Sequence, residues 1–522
     1  MIREIELKNI RIFREELKAK FPLSKLSVFC GTNNSGKSTI LRSLLLLRQT
    51  QINSGEASGG RLRFVGSQVD LGNYTSYVTD KDSNKDITIS LMIEDAIPVE
   101  AFLFLQSLST SNSKDAILKK IQSDKTLKYW LKSSFIFTAK KLEVEEQFSE
   151  DDYSTIKGIL KSVDYEMIVE EEKILSWRVQ ISDKPQEDKV GYEILIPKKY
   201  FEKLKGNQLM ELERSKDDNF LIATTILKGI LPFRIASKKS QGISWSFPLP
   251  PVIEEALKDF YNALDRMHYL APLRIPARRY YLTRFDFLPG LDPAGEFLPY
   301  ILREKEREVW NVRPGKQERV KEKLSTALNV WLYYLRVGKE PSENVDSEEI
   351  VISSLKGALV EIEIKTIRKD EKYPLADSGF GYSQVLPILV RGLLASPFST
   401  MIVEQPELHL NPALQVRLVE FFIAMVHADK QVIIETHSEH IVNMIRVLIA
   451  EDESKKLSAD SSIFFIDAEE QIPIIYDLSI KPDGTVSEWP YKFFGEAASL
   501  SGRLLRAQKR YRESAKKNSE GK

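Results

Sequence analysis

The residues whose types and spacing are best suited to chemistry lie near the start of the chain, in segment 31–38. Gly31, Gly36, Lys37 and Ser38 fit the pattern G-x-x-x-x-G-K-[ST] at every fixed position. In such a loop the glycines let backbone N–H groups curl round phosphate oxygens without Cβ clashes. The lysine reaches the outer phosphates and the hydroxyl holds Mg²⁺. The segment therefore predicts a phosphate-binding loop for a nucleotide.

The sequence also predicts the elements needed to position this loop. Residues 26–30 form a short apolar run typical of a buried strand, and residues 38–47 have the pattern of a helix. A phosphate site needs the order strand, loop, helix, because its N–H groups converge at the N-terminus of the helix. A glycine turn with a chance lysine would not need these flanks, so the context favours nucleotide binding.

Length and composition limit the class of protein. The chain has 522 residues, 42% of them hydrophobic and 29% charged. This is enough for two or three domains, or for one large nucleotide-binding domain with an insertion. Its 75 basic and 75 acidic residues cancel, so we expect no surface that coats nucleic acid as a whole. The single cysteine, Cys30, excludes a disulfide within one chain and suits a reducing compartment. We see no signal peptide and no apolar run of about 18 residues, so we expect no membrane span and a cytoplasmic location.

The pattern of apolar and polar residues divides the chain into four parts, residues 1–95, 96–265, 266–500 and 501–522. The first and third parts read as an α/β fold. Short apolar strands recur in the third part, at 400–403, 431–434 and 462–466. Apolar strands separated by helices predict a mostly parallel sheet covered on both faces. The fourth part is a polar, basic tail.

The second part has a different pattern of apolar and polar residues and carries no catalytic motif. A helical pattern covers residues 103–131, and strand patterns occur at 168–181 and 190–196. We interpret residues 96–265 as a mixed helical and strand insertion that splits the nucleotide-binding domain. A separate domain is the alternative.

Two segments of the third part could complete a nucleotide site. The strand that ends at Glu404 presents a carboxylate that can orient Mg²⁺ opposite the phosphate loop, although a solvated acid is an equal alternative. His437 follows the next strand, and the carboxyl ends of parallel strands meet in the crevice where such sheets bind ligands. We interpret His437 as a partner of the outer phosphate.

A further segment, 377–385, has two glycines and two serines ahead of an apolar helix. Its exposed N–H groups would make a second anion site at a helix N-terminus. One nucleotide does not need two such sites from one chain, whereas a dimer that sandwiches each nucleotide does. The alternative is an ordinary glycine turn with a serine cap.

Together these motifs resemble those of ABC-type ATPases of the RecF, SMC and OLD (overcoming lysogenization defect) group. In chain order the matching segments are Walker A at 31–38, the divergent signature motif at 378–384, Walker B at 403–407, the D-loop at 411–413 and the switch histidine at His437. The stretches 269–278, 295–296 and 483–494 also resemble predicted bacterial ATPases that act in antiphage defence. The resemblance implies an ABC-type P-loop ATPase head that uses ATP and Mg²⁺ and dimerises on ATP.

The resemblance also assigns roles to individual residues. One face of ATP contacts residues in and around the phosphate loop, namely Arg11, Gly31, Asn33, Asn34, Ser35, Gly36, Lys37, Ser38 and Thr39. The second subunit covers the other face with Ser378, Gly379, Gly381 and Ser383. The metal is assigned to Ser38, Glu404 and Gln68, with Gln49 a weaker alternative to Gln68. Catalysis is assigned to Lys37, Glu404, Gln405, Glu407 and His437.

Gln405 departs from the usual Walker B motif, which ends Asp-Glu. Glu404 keeps a carboxylate for the metal, but an amide at position 405 cannot accept a proton from water at neutral pH. Gln405 could still position water, and Glu407 or His437 could supply the base. We therefore predict slow hydrolysis, with turnover not far above about 1 s⁻¹, and a long-lived ATP-bound dimer.

The leading hypothesis is an ATPase subunit of a bacterial antiphage defence complex, a homodimer or larger oligomer that scaffolds or controls a separate nuclease or toxin. The chain has only five histidines, and no acidic Toprim triad follows His437, so we expect the effector on another chain. The runner-up is a RecF- or SMC-like DNA-repair or DNA-end-sensing ATPase that binds DNA directly. A third alternative is a nucleotide-gated interaction protein without ATPase activity.

Overall fold

The computed structural model describes most of the chain. The described residues are 1–17, 19–52, 59–98, 126–141, 156–169, 171–182, 191–198, 213–214, 219–238, 244–282, 293–295, 307–340, 349–355, 359–365, 372–377, 380–468, 472–486 and 508.

The core of the fold is a six-stranded sheet with the strand order β13-β20-β21-β3-β22-β23. Its strands are β3 (Leu26–Gly31), β13 (Met267–Leu270), β20 (Thr400–Glu404), β21 (Gln431–Glu435), β22 (Ser461–Asp467) and β23 (Ile474–Asp477). All neighbours pair in parallel except β22 with β23. This confirms the mostly parallel sheet and the three apolar strands predicted from the third part of the sequence.

Both faces of this core sheet are buried, because successive side chains of each strand enter different hydrophobic clusters. On β3, Phe29 packs into a first cluster, on one face of the sheet, while Val28 and Cys30 pack into a second cluster on the other face. On β21, Ile433 and Ile434 divide in the same way. A parallel sheet covered on both faces needs apolar residues at consecutive positions, which explains the unbroken apolar runs in the sequence.

Helices cover the sheet and link its strands. Their bounds are α1 (Lys37–Ile52), α2 (Tyr74–Tyr77), α3 (Pro251–Asp265), α4 (Leu324–Val337), α5 (Phe380–Leu394), α6 (Pro412–His427), α7 (Glu439–Glu451) and α8 (Lys456–Ala459). Helices α1 and α3 contribute to the first cluster, and α4 to α7 contribute to the second. Within the described residues, no helix has the length and apolar character to span a membrane.

A second, larger sheet packs on the first cluster, with the strand order β12-β11-β10-β8-β7-β6-β5-β4-β1-β2 and β9 beside β10. Its strands are β1 (Ile2–Lys8), β2 (Ala19–Pro22), β4 (Ile87–Pro98), β5 (Thr126–Lys141), β6 (Ile156–Val169), β7 (Glu172–Ile181), β8 (Tyr192–Pro197), β9 (Glu213–Arg214), β10 (Phe220–Lys228), β11 (Leu231–Lys238) and β12 (Ser244–Phe247). Every pair is antiparallel. Burial alternates along its strands, as in β8, because only one face meets the core.

Two smaller sheets complete the described structure. Strands β14 (Tyr281–Leu282), β17 (Glu349–Leu355), β18 (Leu359–Lys365) and β19 (Lys372–Pro374) form one sheet, and β15 (Glu308–Val312) pairs with β16 (Arg319–Lys323).

The structure corrects two predictions for the second part of the chain. Residues 126–131, predicted as helical, belong to strand β5, and residues 103–125 lie outside the described residues. The strand predicted over 168–181 is a hairpin, because β6 ends at Val169 and β7 begins at Glu172. The boundary predicted at residue 95 falls within β4, and the large sheet continues across it. The division into lobes and insertion stays a prediction.

Candidate functional site

The segment predicted as a phosphate loop lies between β3 and α1, at the carboxyl end of the core sheet. Strand β3 ends at Gly31, and α1 begins at Lys37. Gly31 has a φ of 139°, and a Cβ there would lie 2.0 Å from the carbonyl oxygen of Ile466. Gly36 has a φ of 86°, and a Cβ there would lie 2.6 Å from Ile12 Cδ1. Both positions favour glycine. At Gly31 the backbone of Ile466 leaves no room for a side chain, and at Gly36 the left-handed backbone would be strained by one.

Lys37 fills the centre of this loop. Its Nζ donates hydrogen bonds to the carbonyl oxygens of Thr32 and Gly31 at 2.6 and 3.2 Å, and to Ser35 Oγ at 3.2 Å. Burial lowers the pKa of Lys37, and the nearby charge of Glu435 opposes that shift. The ammonium group lies at a helix N-terminus and contacts oxygens of the loop. It can exchange these partners for the oxygens of a bound phosphate.

The other predicted members of the loop lie on either side of this lysine in the chain. Asn34 has a left-handed backbone with a φ of 60°, and Asn33 beside it is exposed. Ser35 is fully buried. Thr39 lies in the first turn of α1, where its N–H donates to the carbonyl oxygen of Gly36 at 2.9 Å. The loop is thus a tight turn closed by its own hydrogen bonds.

Two carboxylates end neighbouring strands beside the loop. Glu404 ends β20 and Glu435 ends β21, and the parallel register places the two residues side by side. Ser38 and Arg42 of α1 are four residues apart and so share one face of the helix. Ser38 Oγ donates to Glu435 Oε1 at 2.7 Å, and Arg42 donates to Glu404 through Nε at 3.3 Å and Nη2 at 3.0 Å. Two separate polar contacts therefore fix the start of α1 to the two strand tips.

The second oxygen of Glu435 distinguishes the two carboxylates. Tyr269 adds a third hydrogen bond to Glu404, at 2.9 Å on Oε1. Oε2 of Glu435 is buried and has no hydrogen-bond partner among the described residues. Burial, together with the charge of Glu404, raises the pKa of Glu435 to about 7.

The donors at these strand tips fit magnesium. The described residues hold no group of three or more His, Cys, Asp and Glu side chains that could bind a metal by itself. Magnesium bound with a nucleotide needs less, since one or two carboxylates and phosphate oxygens complete its shell with water. The hydroxyl of Ser38 and the unpartnered oxygen of Glu435 are oxygen ligands of this kind.

Gln405, Glu407 and His437 lie together beyond the strand tips. The N–H of Gln405, whose φ is 45°, donates to the carbonyl oxygen of Glu435 at 2.7 Å. Glu407 accepts hydrogen bonds from the Thr436 hydroxyl at 2.9 Å and from the His437 N–H at 2.6 Å. Burial raises the pKa of the Glu407 carboxyl. Partial desolvation and the charge of the loop lysine lower the pKa of the His437 imidazole. Their catalytic roles stay predictions.

A buried arginine lies next to this group. Arg274 is 4% exposed and donates from Nη2 to the carbonyl oxygen of Glu404 at 3.1 Å. Its Nε and Nη1 have no partner within the part of the chain that the structure describes. Burial lowers the pKa of Arg274 to about 10, and the charge of Glu407 opposes that shift. Arg274 thus joins the segment after β13 to the strand that ends at Glu404.

Arg11 lies in the turn between β1 and β2. Its φ is 48°, and its N–H donates to the carbonyl oxygen of Tyr77 at 2.9 Å. The guanidinium carbon lies 5.6 Å from the centre of the Tyr77 ring. The hydroxyls of Tyr77 and Ser43 lie 2.6 Å apart, which connects this turn to α1. The structure therefore brings the turn that carries Arg11 next to the helix that follows the phosphate loop.

The two glutamines considered for the metal have different surroundings. Nε2 of Gln49 donates to the carbonyl oxygens of Arg63 and Val69 at 2.5 and 3.2 Å, and its Oε1 accepts from the Val69 N–H at 3.2 Å. Its amide therefore holds the loop of residues 63–69 in place, which argues against a metal role. Gln68 lies in that loop, is 7% exposed and has a buried Oε1 with no partner among the described residues. Its assignment to the metal stays a prediction.

The segment predicted as the signature motif is described in part. Ser378 and Gly379 lie outside the described residues, and Gly381 and Ser383 lie in the first turn of α5. Gly381 lines a groove of about 500 Å³ together with residues of the D-loop and helix α4. Asn411 of the D-loop caps α6, where its Oδ1 accepts from the Leu414 N–H at 2.9 Å. The structure thus places the signature segment beside the D-loop, while its contact with a second nucleotide site stays a prediction.

Four residues at the site were not singled out as site residues from the sequence: Arg42, Tyr269, Arg274 and Glu435. Glu435 had a signal, since residues 431–435 form an apolar strand ending in an acid, like residues 400–404. Arg42 had a weaker one, because it follows Ser38 by four residues on a predicted helix. Tyr269 and Arg274 stood in a segment noted only for its resemblance to defence ATPases.

Comparison with solved structures finds distant likenesses to SMC heads. The structure of an SMC head bound to the C-winged helix domain of ScpA is 11% identical, with a TM-score of 0.36, and the match covers 92% of this chain and 98% of that one. The SMC head domain from Thermotoga maritima is 9% identical, with a TM-score of 0.32, over 91% of this chain and 98% of that one. At these TM-scores neither likeness carries an argument about function.

Comparison with known sequences gives a clearer result. No curated protein matches the chain. A family model does match, over residues 1–442, which is most of the chain and includes the phosphate loop, both strand-tip carboxylates and His437. The chain belongs to the family of the AAA ATPase domain.

Proposed function

We propose that this chain is an ATP-binding, slowly hydrolysing ABC-type ATPase subunit that forms a homodimer or larger oligomer on ATP. We further propose that it scaffolds or controls a separate nuclease or toxin in a bacterial antiphage defence complex. The observation that carries the ATPase part is the loop closed round Lys37, with Ser38 hydrogen-bonded to a carboxylate at the tip of β21.

The proposed site divides its work between the loop and the strand tips. The N–H groups at the start of α1 and the Lys37 ammonium bind the phosphates. Ser38 and a strand-tip carboxylate hold Mg²⁺, which neutralises charge on the phosphate oxygens when bound. Arg11, in the turn after β1, contacts the nucleotide. Gln68, in the loop held by Gln49, contacts the metal. One subunit supplies this half, and the segment 378–383 of a second subunit closes over it.

Slow turnover follows from the residues beyond the strand tips. Gln405 cannot act as a general base at neutral pH. Glu407, two residues after Gln405, already accepts hydrogen bonds from the Thr436 hydroxyl and from the backbone N–H of His437. These two donors occupy both oxygens of the carboxylate, so an attacking water would have to displace one of them to reach Glu407. We therefore expect the ATP-bound state to persist.

Nucleotide binding and turnover in the purified chain test the ATPase part. We expect saturable ATP binding and a low rate of phosphate release, both lost in Lys37→Ala because the loop loses its only ammonium. Lys20→Ala is a matched control, since Lys20 is an exposed residue of β2 that pairs with Glu4 at 2.9 Å. Binding without turnover would support the alternative of a nucleotide-gated interaction protein.

Light scattering with and without ATP tests the dimer. We expect the Gln405→Ala chain to accumulate as a dimer with ATP, because this change removes any residual water positioning while leaving the phosphate loop intact. Gly381→Arg should prevent this dimer without lowering ATP affinity, because Gly381 lines the groove on the side that would cover the second nucleotide, and the nearest atom to an added Cβ is Leu414 Cδ1 at 3.7 Å. A monomer under all conditions would contradict the proposal.

The defence role has one supporting observation and two experimental tests. The resemblance of segments 269–278, 295–296 and 483–494 to defence ATPases supports it. Recovery of a nuclease or toxin encoded beside this gene, in complex with the chain, would support it further. Tight, salt-sensitive, ATP-dependent binding of DNA by the chain alone would favour the RecF-like alternative instead. The zero net charge of the chain leads us to expect weak DNA binding.

A further inference from the structure

The two strand-tip carboxylates occupy equivalent positions but have different partners. Glu404 is 1% exposed, and both of its carboxylate oxygens accept hydrogen bonds. Arg42 donates to both, and Tyr269 donates to Oε1 at 2.9 Å. A cation that bound Glu404 would have to displace an arginine or a tyrosine hydroxyl from a buried position.

Glu435 is equally buried, at 2% exposure, but only one of its oxygens is used. Oε1 accepts from Ser38 Oγ at 2.7 Å, and Oε2 has no hydrogen-bond partner among the residues that the structure describes. Buried polar atoms in folded proteins almost always have a partner, so an unpartnered carboxylate oxygen calls for an explanation such as a bound ion.

The surroundings of this free oxygen favour a divalent cation. The Ser38 hydroxyl and the Glu435 carboxylate are hard oxygen donors in contact with each other. They lie at the start of α1, where the phosphate loop ends. Arg42 is engaged by Glu404, and Lys37 donates to the loop's own oxygens, so neither cation occupies Oε2.

Resting on the proposed function, we infer that Glu435, and not Glu404, is the carboxylate that holds the magnesium ion of the bound nucleotide. Glu404 is then a positioning residue. It holds Arg42, and through it the face of α1 that carries Ser38, against the strand tips. The metal is thereby assigned to the tip of β21 and not to the tip of β20, where the resemblance placed it.

The test is the magnesium dependence of nucleotide affinity, measured by titration with a fluorescent ATP analogue in Mg²⁺ and in EDTA. We expect the wild-type chain to bind at least about tenfold more tightly in Mg²⁺, since loss even of an outer-shell partner of a metal ligand typically costs about 10–100-fold in metal affinity. Glu435→Gln should remove this enhancement while leaving the affinity in EDTA unchanged. Glutamine is isosteric and still accepts from Ser38, so we expect the variant to fold. Glu404→Gln is the comparison variant. Its amide oxygen can still accept from Tyr269 and from Nε of Arg42, so α1 should stay in place and most of the enhancement should remain.

A second readout uses Mn²⁺ as the probe. Its electron paramagnetic resonance signal in the presence of ATP should report a protein-bound ion in wild type and in Glu404→Gln, and less bound ion in Glu435→Gln. Glu435→Asp keeps a carboxylate and should retain part of the signal.

The outcomes separate the inference from the proposed function. An enhancement that survives Glu435→Gln but is lost in Glu404→Gln would overturn the inference while leaving nucleotide binding in place. Equal affinity in Mg²⁺ and EDTA for wild type would overturn it as well. A folded wild-type chain that binds no nucleotide in either condition would overturn the proposed function, and the inference with it.

Discussion

Removal of one hydroxyl tests how firmly the buried Glu404 is held. In Tyr269→Phe, Glu404 Oε1 loses a hydrogen bond of 2.9 Å from a residue that is 6% exposed. Nothing else in the pair changes, since Arg42 still donates through Nε at 3.3 Å and Nη2 at 3.0 Å. The change therefore isolates the contribution of the tyrosine to the contact between β13, β20 and α1.

The magnitude follows from the charge and burial of the acceptor. Hydrogen bonds to charged groups contribute about 1.5–3 kcal/mol. Arg42 remains on the same oxygen, although at a long distance, so we expect the lower end, about 1.5 kcal/mol. This corresponds to roughly a tenfold change in a local opening equilibrium.

Native-state hydrogen exchange is the appropriate assay, because a chain of this size does not unfold in one step and has no single free energy of unfolding. Exchange of the β20 amides and of the first turns of α1 should become about tenfold faster in Tyr269→Phe. The matched control is Tyr334→Phe, which removes the same atom from a partly exposed pair with Glu420 at 2.5 Å. We expect that change to accelerate local exchange less than about threefold, as for other exposed polar pairs.

Two results would refute this reasoning. Equal effects of the two substitutions would show that burial of Glu404 does not strengthen its contacts. No effect of Tyr269→Phe on β20 or α1 would show that Arg42 alone holds the carboxylate. A loss of the magnesium enhancement of nucleotide binding in Tyr269→Phe would also count against assigning the metal to Glu435.

Three further predictions concern catalysis and stability. Gln405→Glu should raise ATP turnover by about 10²-fold or more if position 405 faces the attacking water, and an unchanged rate in a phosphate-release assay would remove that assignment. Lys430→Met should destabilise the end of α5 by about 2–3 kcal/mol, because Nζ of this 1% exposed lysine donates to three backbone carbonyl oxygens at 2.8 to 3.3 Å. Hydrogen exchange should show the loss, and Lys128→Met, at a side chain that is 75% exposed, should not. Burial raises the pKa of Asp259 to about 6 from 3.8, so the folded state keeps a proton that the unfolded state has lost, and stability falls as pH rises between these values. Asp259→Asn keeps an acceptor for Tyr129 and should therefore gain about 1 kcal/mol at pH 7, after allowance for solvent screening, and nothing near pH 3. Hydrogen exchange of the α3 and β5 amides, compared between the two chains at each pH, measures this, and a larger gain at pH 3 would contradict the sign.

The parts of the fold that were predictable from the sequence are those in which the signal is local. The phosphate loop is a run of eight residues, and its glycines are needed at positions that the pattern marks. The strands of the core sheet are continuous apolar runs, because a sheet buried on both faces requires them. Neither signal depends on which distant segment the run will meet.

The large antiparallel sheet was not predictable in the same way. Residues 126–131 carry a helix-like spacing of apolar side chains, yet they form part of β5 between β4 and β6. Strand pairing decides that outcome, and the partners lie about 30 residues or more away in the chain. Local periodicity cannot report such pairing when apolar and polar residues are closely mixed.

The sequence by itself determined the phosphate loop and the two strands that end in an acid, because each is a run of consecutive residues with a local pattern. Only the tertiary structure decided which partners each acid meets. Ser38 meets Glu435 across 397 positions of sequence, and Arg42 meets Glu404 across 362. One face of α1 docks on two neighbouring strand tips, so the order of strands in the sheet determines which carboxylate is neutralised by arginine and which keeps a free oxygen beside the hydroxyl.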